Sequence, residues 1–231
     1  MGALTGLLLA PGPTGYTLAP DGPTAPGEAV NVLISRHRRL PRDRMGRRLT
    51  ASGRSLIAQA LATMYGVQVA PGALERDAHH RWSVPALGLA ASVTHCGEFS
   101  AVASAPVARV IGVDLQDERD RPHALRWLGD LLGRQEPATI RDFTECEALI
   151  KASHLTKDTF AGILLPAWRP GWRPTDTSTG TSTSTSTSTR SDTSTYQVRS
   201  LALRAEGTPP LHLALACDAP APVRFHHLEQ E

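Results

Sequence analysis

Apolar residues follow two periods along the chain, one typical of helices and one typical of strands. Between 50 and 65, several apolar residues are spaced by one, three or four positions, which places them on one face of a helix. They are Leu56, Ile57, Ala60, Leu61 and Met64. The pattern predicts a helix over 50–65 that stops at Gly66. Weaker patterns predict helices over 124–132 and from 144 past 151.

Short runs of apolar or alternating residues predict strands in the rest of the chain. The predicted strands cover 29–35, 87–93, 100–105, 107–115, 196–203 and 211–216. The short turns between them favour antiparallel pairing. The pattern therefore predicts an α+β fold rather than a doubly wound parallel sheet.

Two segments lack the apolar positions that a core requires. Residues 11–28 are rich in Pro and Gly, so we predict a flexible N-terminal segment over 1–28. Residues 175–195 contain Thr, Ser, Asp, Gly and Arg and no apolar residue. We therefore predict a disordered Ser/Thr-rich insert at 175–195 that joins two ordered parts of the chain.

Composition narrows the class of protein. The 231 residues are 41% hydrophobic, enough for a substantial core, and the net charge of +2 without a long basic block argues against a nucleic-acid partner. Three widely spaced cysteines fit neither a disulfide framework nor a zinc site, which favours a reducing cytoplasm. The apolar run at 4–10 follows no basic residue and is too short to span a bilayer, so we expect no membrane partner.

The stretch IGVDLQDERD at 111–120 ends a predicted buried strand in polar residues. Asp114 and Gln116 are two positions apart, so their side chains point to the same face of the strand. Such residues either cap a turn or hold a metal ion.

The predicted helix TECEALIK at 144–151 carries a second polar group. Thr144 with Glu147 forms a capping-box pattern, and Glu147 with Lys151 forms an ion-pair pattern, so a purely structural explanation is complete. In the functional interpretation, Glu147 binds a metal or accepts a proton and Lys151 meets a phosphate. Asp114 and Glu147 then supply two hard oxygen ligands of the type that magnesium prefers.

A third polar group lies in SVTHCG at 92–97. Thr94 and His95 can both form hydrogen bonds with a phosphate, although a His at a strand end is more often an ordinary polar residue. Cys96 is rejected as a nucleophile paired with His95, because neighbouring side chains diverge on an extended chain.

Taken in their order along the chain, these three segments resemble the motifs of the two-lobed 4′-phosphopantetheinyl transferases, the type that activates surfactin synthetase. That family carries a turn similar to SHS, a strand end G-[IV]-D-x-E and a helix W-[ST]-x-K-E-x-x-x-K. The counterparts here are SVTHCG at 92–97, GVDLQ at 112–116 and FTECEALIK at 143–151, preceded by the arginine-bearing helix GRSLIAQALATMYG at 53–66.

The resemblance covers about residues 46–165 and 196–217. It implies a monomer with two pseudo-symmetric lobes, each a small antiparallel sheet packed on a long helix. The first lobe would cover 29–110, the second 111–174 and 196–231, and a ligand cleft would lie between them. The implied reaction is magnesium-dependent transfer of the 4′-phosphopantetheine arm of coenzyme A to a serine of an acyl, polyketide or peptidyl carrier protein.

The resemblance also implies roles for individual residues. Asp114 and Glu147 would bind Mg²⁺, and Gln116 stands at a third metal-ligand position. Glu147 would also take the serine proton, and Lys151 would contact the pyrophosphate. The 3′-phosphate of coenzyme A would be held by Arg54, Thr94 and His95.

Two departures from the motifs leave alternatives open. Gln116 replaces a glutamate, so a metal site loses one charge, and Cys146 replaces a lysine. One alternative is therefore a catalytically weakened module that binds coenzyme A or a carrier protein. Another is a structural or interaction protein whose motif matches are accidental.

Overall fold

The computed structural model describes residues 7–9, 29–37, 47–119, 121–156, 160–161, 163–177, 195–205 and 207–229. These residues form an α+β fold, which confirms the predicted fold class. The helices are α1 (Arg47–Tyr65), α2 (Pro122–Leu131) and α3 (Ile140–Ala152). The strands are β1 (Leu7–Leu9), β2 (Val30–Arg36), β3 (Glu75–Arg76), β4 (Trp82–Val84), β5 (Leu89–Cys96), β6 (Phe99–Pro106), β7 (Ile111–Asp117), β8 (Arg173–Asp176), β9 (Thr195–Ala205), β10 (Leu211–Cys217) and β11 (Val223–Glu229). No helix within these ranges is long and apolar enough to cross a membrane.

The strands form two sheets, one for each lobe. The six-stranded sheet has the order β11-β2-β6-β5-β4-β3, and the five-stranded sheet has the order β1-β9-β10-β7 with β8 paired to β9. Among the described strands, β11 and β2 run parallel, whereas the sequence predicted antiparallel pairing in both sheets. These two strands are far apart in the chain and no turn joins them, so turn lengths carry no information about their direction.

Each sheet packs on a helix with one face and on the other sheet with its opposite face. On β2, Val32 and Ile34 point into the core between the sheets, whereas Leu33 packs in the core that contains α1. On β10, Leu213 points between the sheets and Ala214 lies in the core that contains α3. The layers are therefore helix, sheet, sheet and helix, and alternate residues of one strand serve two cores.

Strand pairing changes two of the predicted boundaries. β11 lies within 196–231, which was predicted to belong wholly to the second lobe, but it pairs with β2 in the sheet of the first lobe. Leu7–Leu9 lie within the segment predicted to be flexible, but they pair with β9. The rest of 1–28 lies outside the described residues.

Both ends of the segment 175–195, predicted to be a disordered Ser/Thr-rich insert, belong to strands. Thr195 begins β9. Thr175 and Asp176 belong to β8, and Thr175 is 1% exposed. Thr177 is buried as well. Threonine is β-branched and fits a strand, so the lack of apolar residues does not exclude strand structure here. Residues 178–194 lie outside the described residues.

Candidate active site

Asp114 lies where the two sheets and α3 meet. It belongs to β7 and is 3% exposed. Its Oδ1 accepts hydrogen bonds from the hydroxyl of Thr94 on β5, at 2.9 Å, and from the ammonium of Lys151 on α3, at 2.7 Å. The structure thus brings together one residue from each of the three polar groups found in the sequence.

Close packing around β7 makes this convergence possible. Gly112 faces the backbone of Ala148 on α3, and a Cβ atom at position 112 would overlap with that backbone. The amide N–H of Val113 donates to Oγ of Ser92 on β5 at 3.0 Å, which ties β7 to the other sheet. Gly112 and Ser92 therefore hold α3 and β5 close enough for their side chains to reach Asp114.

Lys151 is bound to β7. Its Nζ donates to the carbonyl oxygen of Val113 at 2.9 Å as well as to Asp114, whereas the sequence predicted an ion pair with Glu147. The lysine side chain is 29% exposed, while that of Asp114 is 4% exposed. An ammonium has three N–H donors, so Lys151 can use the third for a phosphate.

Helix α3 begins one turn before the predicted start at Thr144. Thr139 and Asp142 form its capping box, because the hydroxyl of Thr139 accepts from the Asp142 amide and the Asp142 carboxylate accepts from the Thr139 amide. Thr144 lies inside the helix, where its hydroxyl donates to the carbonyl oxygen of Ile140 at 2.7 Å. The predicted capping box of Thr144 and Glu147 is therefore wrong, and capping does not account for Glu147.

Glu147 lies one helical turn before Lys151 and is half-buried. It lines a cavity of about 30 Å³ whose walls are mostly apolar side chains of α2 and α3. The lining includes Trp127, Leu131, Phe143, Cys146 and Ile150. Cys146, which stands where the motif of the transferases has a lysine, therefore lies beside Glu147 in this cavity.

Gln116 presents its nitrogen to Asp114. Its Nε2 donates to Oδ2 of Asp114 at 2.8 Å, and its Oε1 accepts from Nη1 of Arg121 at 2.6 Å. Arg121 also donates to Oδ1 of Asp117 at 3.1 Å, and Nε of Arg119 donates to the same oxygen at 2.7 Å. A hydrogen-bonded chain therefore runs from Asp114 through Gln116 and Arg121 to Asp117.

Sequence reasoning missed Asp117, Arg119 and Arg121. Burial opposes ionisation of Asp117, but the hydrogen bonds and charges of Arg119 and Arg121 outweigh it and lower the pKa of this carboxyl. A signal was present in DERDR at 117–121, where opposite charges lie two and four positions apart just after a strand.

The predicted metal ligands are two carboxylates and an amide. The part of the chain that the structure describes contains no group of three or more His, Cys, Asp or Glu side chains that could hold a metal ion. Magnesium needs only one or two carboxylates together with substrate phosphates and water, so the carboxylate of Asp114 is a donor of the type that it prefers. Gln116 suits it less, because its oxygen is bonded to Arg121.

His95 follows Thr94 on β5, and its side chain reaches the surface. Surrounding protein still removes part of its hydration and lowers its pKa, the charge of Lys151 lowers it further, and the charge of Asp114 opposes both effects. The imidazole is therefore neutral near pH 7. In that state it can donate one hydrogen bond to a phosphate but adds no positive charge.

Arg54 lies on α1 in the first lobe and is exposed. Its guanidinium lies over the ring of Trp82, 5.5 Å from the centroid, and Arg76 lies 5.1 Å from the same centroid. These cation–π contacts orient Arg54 towards a ring of the first lobe. The groups bonded to Asp114 come from β5, β7 and α3, so Arg54 belongs to a separate set of contacts.

No protein-family model matches the chain, and a search of curated proteins finds no significant similarity. The assignment of a function therefore depends on the residues around Asp114 and on the motifs that they carry.

Proposed function

We propose that the chain transfers the 4′-phosphopantetheine arm of coenzyme A to a serine of an acyl, polyketide or peptidyl carrier protein. The observation that carries this proposal is the contact of Thr94 and Lys151 with one oxygen of the buried Asp114. These residues come from three segments that resemble the transferase motifs in the same order. Accidental matches would not be expected to meet at a single carboxylate oxygen.

The proposed reaction is a displacement at the β-phosphorus of coenzyme A. The serine oxygen of the carrier forms a bond to this phosphorus, and the bond from phosphorus to adenosine 3′,5′-bisphosphate breaks. The serine proton passes to the carboxylate of Glu147, directly or through water. The leaving bisphosphate takes the electron pair and the negative charge.

The groups at Asp114 would bind and orient the phosphates. Two N–H donors of Lys151 hold it to Val113 and Asp114, and the third would stabilise the charge that develops on the pyrophosphate. The O–H of Thr94 is donated to Asp114, so in this arrangement Thr94 positions that carboxylate. The exposed guanidinium of Arg54 and the neutral imidazole of His95 are the proposed partners of the 3′-phosphate.

Asp114 and Glu147 would hold the magnesium ion, which when bound would supply neutralisation of the pyrophosphate charge. Lys151 and Gln116 already bond to the two oxygens of Asp114. These side chains oppose metal binding until the substrate phosphates add their own oxygens. We therefore expect stronger Mg²⁺ binding with coenzyme A than without it.

A module that binds coenzyme A or a carrier protein without transfer is the second candidate. The orientation of Gln116 favours it, because this side chain gives Asp114 a donor where the family motif has a third acidic ligand. The charge of Lys151 likewise neutralises Asp114 in the absence of a metal.

The deciding experiment is transfer from a fluorescent coenzyme A derivative to purified carrier proteins of fatty acid, polyketide and peptide synthesis, with Mg²⁺ present. We expect labelling by the wild-type protein and loss of labelling in Asp114→Asn and Glu147→Gln. Asp130→Asn is the matched control, because Asp130 is an exposed acid on α2, and it should label as the wild type does.

Each other outcome selects a different conclusion. Calorimetric binding of coenzyme A without labelling of any carrier would favour the binding module. If neither coenzyme A with Mg²⁺ nor any of the carrier proteins binds or shifts the thermal unfolding, both candidates are contradicted, since a bound ligand raises stability by mass action. Labelling by both variants would contradict the roles assigned to Asp114 and Glu147, but it would still support the transferase activity.

A further inference from the structure

We propose that Arg121 is a positioning residue that fixes the carboxamide of Gln116 with its nitrogen towards Asp114. Gln116 then acts as a hydrogen-bond donor to Asp114 and is withheld from a divalent cation. The consequence for metal binding rests on the proposed function, because the cation site is part of that function. Arg121 lies outside every motif that the chain shares with the transferases.

The chemistry of the two neighbours determines the orientation of Gln116. Arginine has only donors, and an ionised carboxylate has only acceptors. Turning the carboxamide over would bring Nε2 against Nη1 of Arg121 and Oε1 against Oδ2 of Asp114, at contacts that are now 2.6 Å and 2.8 Å long. Both contacts would become repulsive, so one orientation is stable while both neighbours are charged.

Arg121 is itself held in place by its surroundings. Its carbonyl oxygen accepts from the amide of Leu125 in the first turn of α2, and Pro122 follows it at the first helical position. Its Nη2 donates to Asp117, and its side chain is 24% exposed. The start of α2 therefore fixes the backbone of Arg121, and Asp117 holds its guanidinium beside Gln116.

The arrangement fills both oxygens of Asp114 with donors. Oδ2 accepts from Gln116, and Oδ1 accepts from Thr94 and Lys151. Without Arg121, only the contact with Asp114 still favours the present orientation of the Gln116 carboxamide, so a cation beside Asp114 meets less opposition in turning Oε1 towards itself. Arg121 therefore lowers the metal affinity of the site, and its removal should raise that affinity through Gln116.

The orientation itself can be tested without any metal, on the full chain. The side-chain ¹⁵NH₂ resonances of Gln116 are assigned by their loss in Gln116→Met. We expect Arg121→Met to shift them and to speed their hydrogen exchange. Arg126→Met removes an exposed arginine from α2, the helix that follows Arg121, and should leave these resonances in place. Resonances that respond equally to both arginine variants, or to neither, would overturn the proposal.

The consequence is tested by Mn²⁺ binding, followed by calorimetry and by electron paramagnetic resonance of the free ion, without coenzyme A. We expect Arg121→Met to bind Mn²⁺ about tenfold more tightly than Arg126→Met, at the lower end of the usual effect of residues that orient metal ligands. In the Gln116→Met background, Arg121→Met should differ little from its control, since the effect acts through Gln116.

Equal gains in both backgrounds would mean that Arg121 acts only through its charge, and would overturn the proposed link to metal binding. Absence of Mn²⁺ binding in all variants would also overturn that link, and together with absent labelling it would count against the proposed function. The resonances of Gln116 decide the orientation in either case, so the two failures are distinguishable.

Discussion

Two of the ion pairs to which helix α3 contributes differ in how far solvent reaches the cation. Glu145 pairs with Arg173 of β8, and their side chains are 2% and 1% exposed. Lys151 pairs with Asp114, and the lysine side chain is 29% exposed while that of the aspartate is 4% exposed. Both acids are buried, so the difference lies in the basic partner.

Both side chains of the pair Glu145–Arg173 are excluded from solvent, so we call this pair closed and the pair Lys151–Asp114 open. Oε1 of Glu145 also accepts from Oγ of Ser200 at 2.6 Å, and Nη1 of Arg173 donates to the carbonyl oxygen of Pro166 at 3.2 Å. These bonds join α3 to β8 and β9 and face no solvent. We infer that a closed pair holds the second lobe together, whereas the open pair at Asp114 keeps a donor available for a ligand.

The largest effect on stability is expected from Arg173→Met. Breaking a fully buried pair leaves an uncompensated charge on Glu145, which typically costs about 3–5 kcal/mol. Urea unfolding followed by circular dichroism measures this loss. Arg126→Met is the control at an exposed arginine and should be close to neutral. The double variant Glu145→Gln with Arg173→Met should lose less than Arg173→Met alone, and an equal or greater loss would contradict the closed-pair interpretation.

The next effect is expected from Gly112→Ala. The added methyl group would overlap with the backbone of Ala148, so α3 must move away from β7, at a cost of about 1–3 kcal/mol. Gly53→Ala is the matched control, because the nearest atom to its new Cβ would be a methyl of Val93 at 3.4 Å. If Gly112→Ala unfolds at the same urea concentration as Gly53→Ala, the close approach of α3 does not hold the site together.

Lys151→Met should separate stability from function. Its cation is partly exposed, so we expect a loss of only about 1–2 kcal/mol, smaller than for Arg173→Met. Labelling of carrier proteins should nevertheless be abolished, because the donor to the pyrophosphate is gone. Parallel measurement of urea midpoints and labelling rates tests this, and full labelling by Lys151→Met would show that the open pair has no role in transfer.

The smallest effect concerns the pKa of His95, measured from its imidazole resonances by NMR. Burial and the charge of Lys151 lower this pKa below its ordinary value of 6.5, so Lys151→Met should raise it. The lowered pKa also makes stability depend on pH, because in the wild type the His95 imidazole binds a proton more readily in the unfolded chain than in the folded one. The neutral His95 therefore favours the folded state fully above pH 6.5, and this contribution falls as the pH drops from there through the lowered pKa. An unchanged pKa in Lys151→Met would contradict the electrostatic contact.

The parts of the fold that follow local patterns were predictable. β10 occupies Leu211–Cys217 where the pattern predicted 211–216, and α1 covers the predicted helix. The start of α3 was predicted too late, because Thr139 and Asp142 form a capping box as readable as the one assumed at Thr144. The parallel pairing of β11 with β2 was not predictable, since neither residue type nor spacing shows which distant strand lies alongside.

In the candidate site, too, the residues were predictable from the sequence, whereas their long-range contacts were not. Asp114, Thr94 and Lys151 were singled out from the sequence, but Lys151 was assigned to Glu147, four positions away on the same helix. In the fold its ammonium reaches Asp114, 37 positions away along the chain. Gln116 was predicted to offer an oxygen to a metal, and the unforeseen Arg121 turns that oxygen away from Asp114.

By itself the sequence determined where α1 and core strands such as β10 form, because periodicity acts between residues a few positions apart. Only the tertiary structure decided which polar groups bond to one another. A hydrogen bond forms across space between groups that packing brings within about 3 Å, and a glycine at 112 and a serine at 92 set that packing.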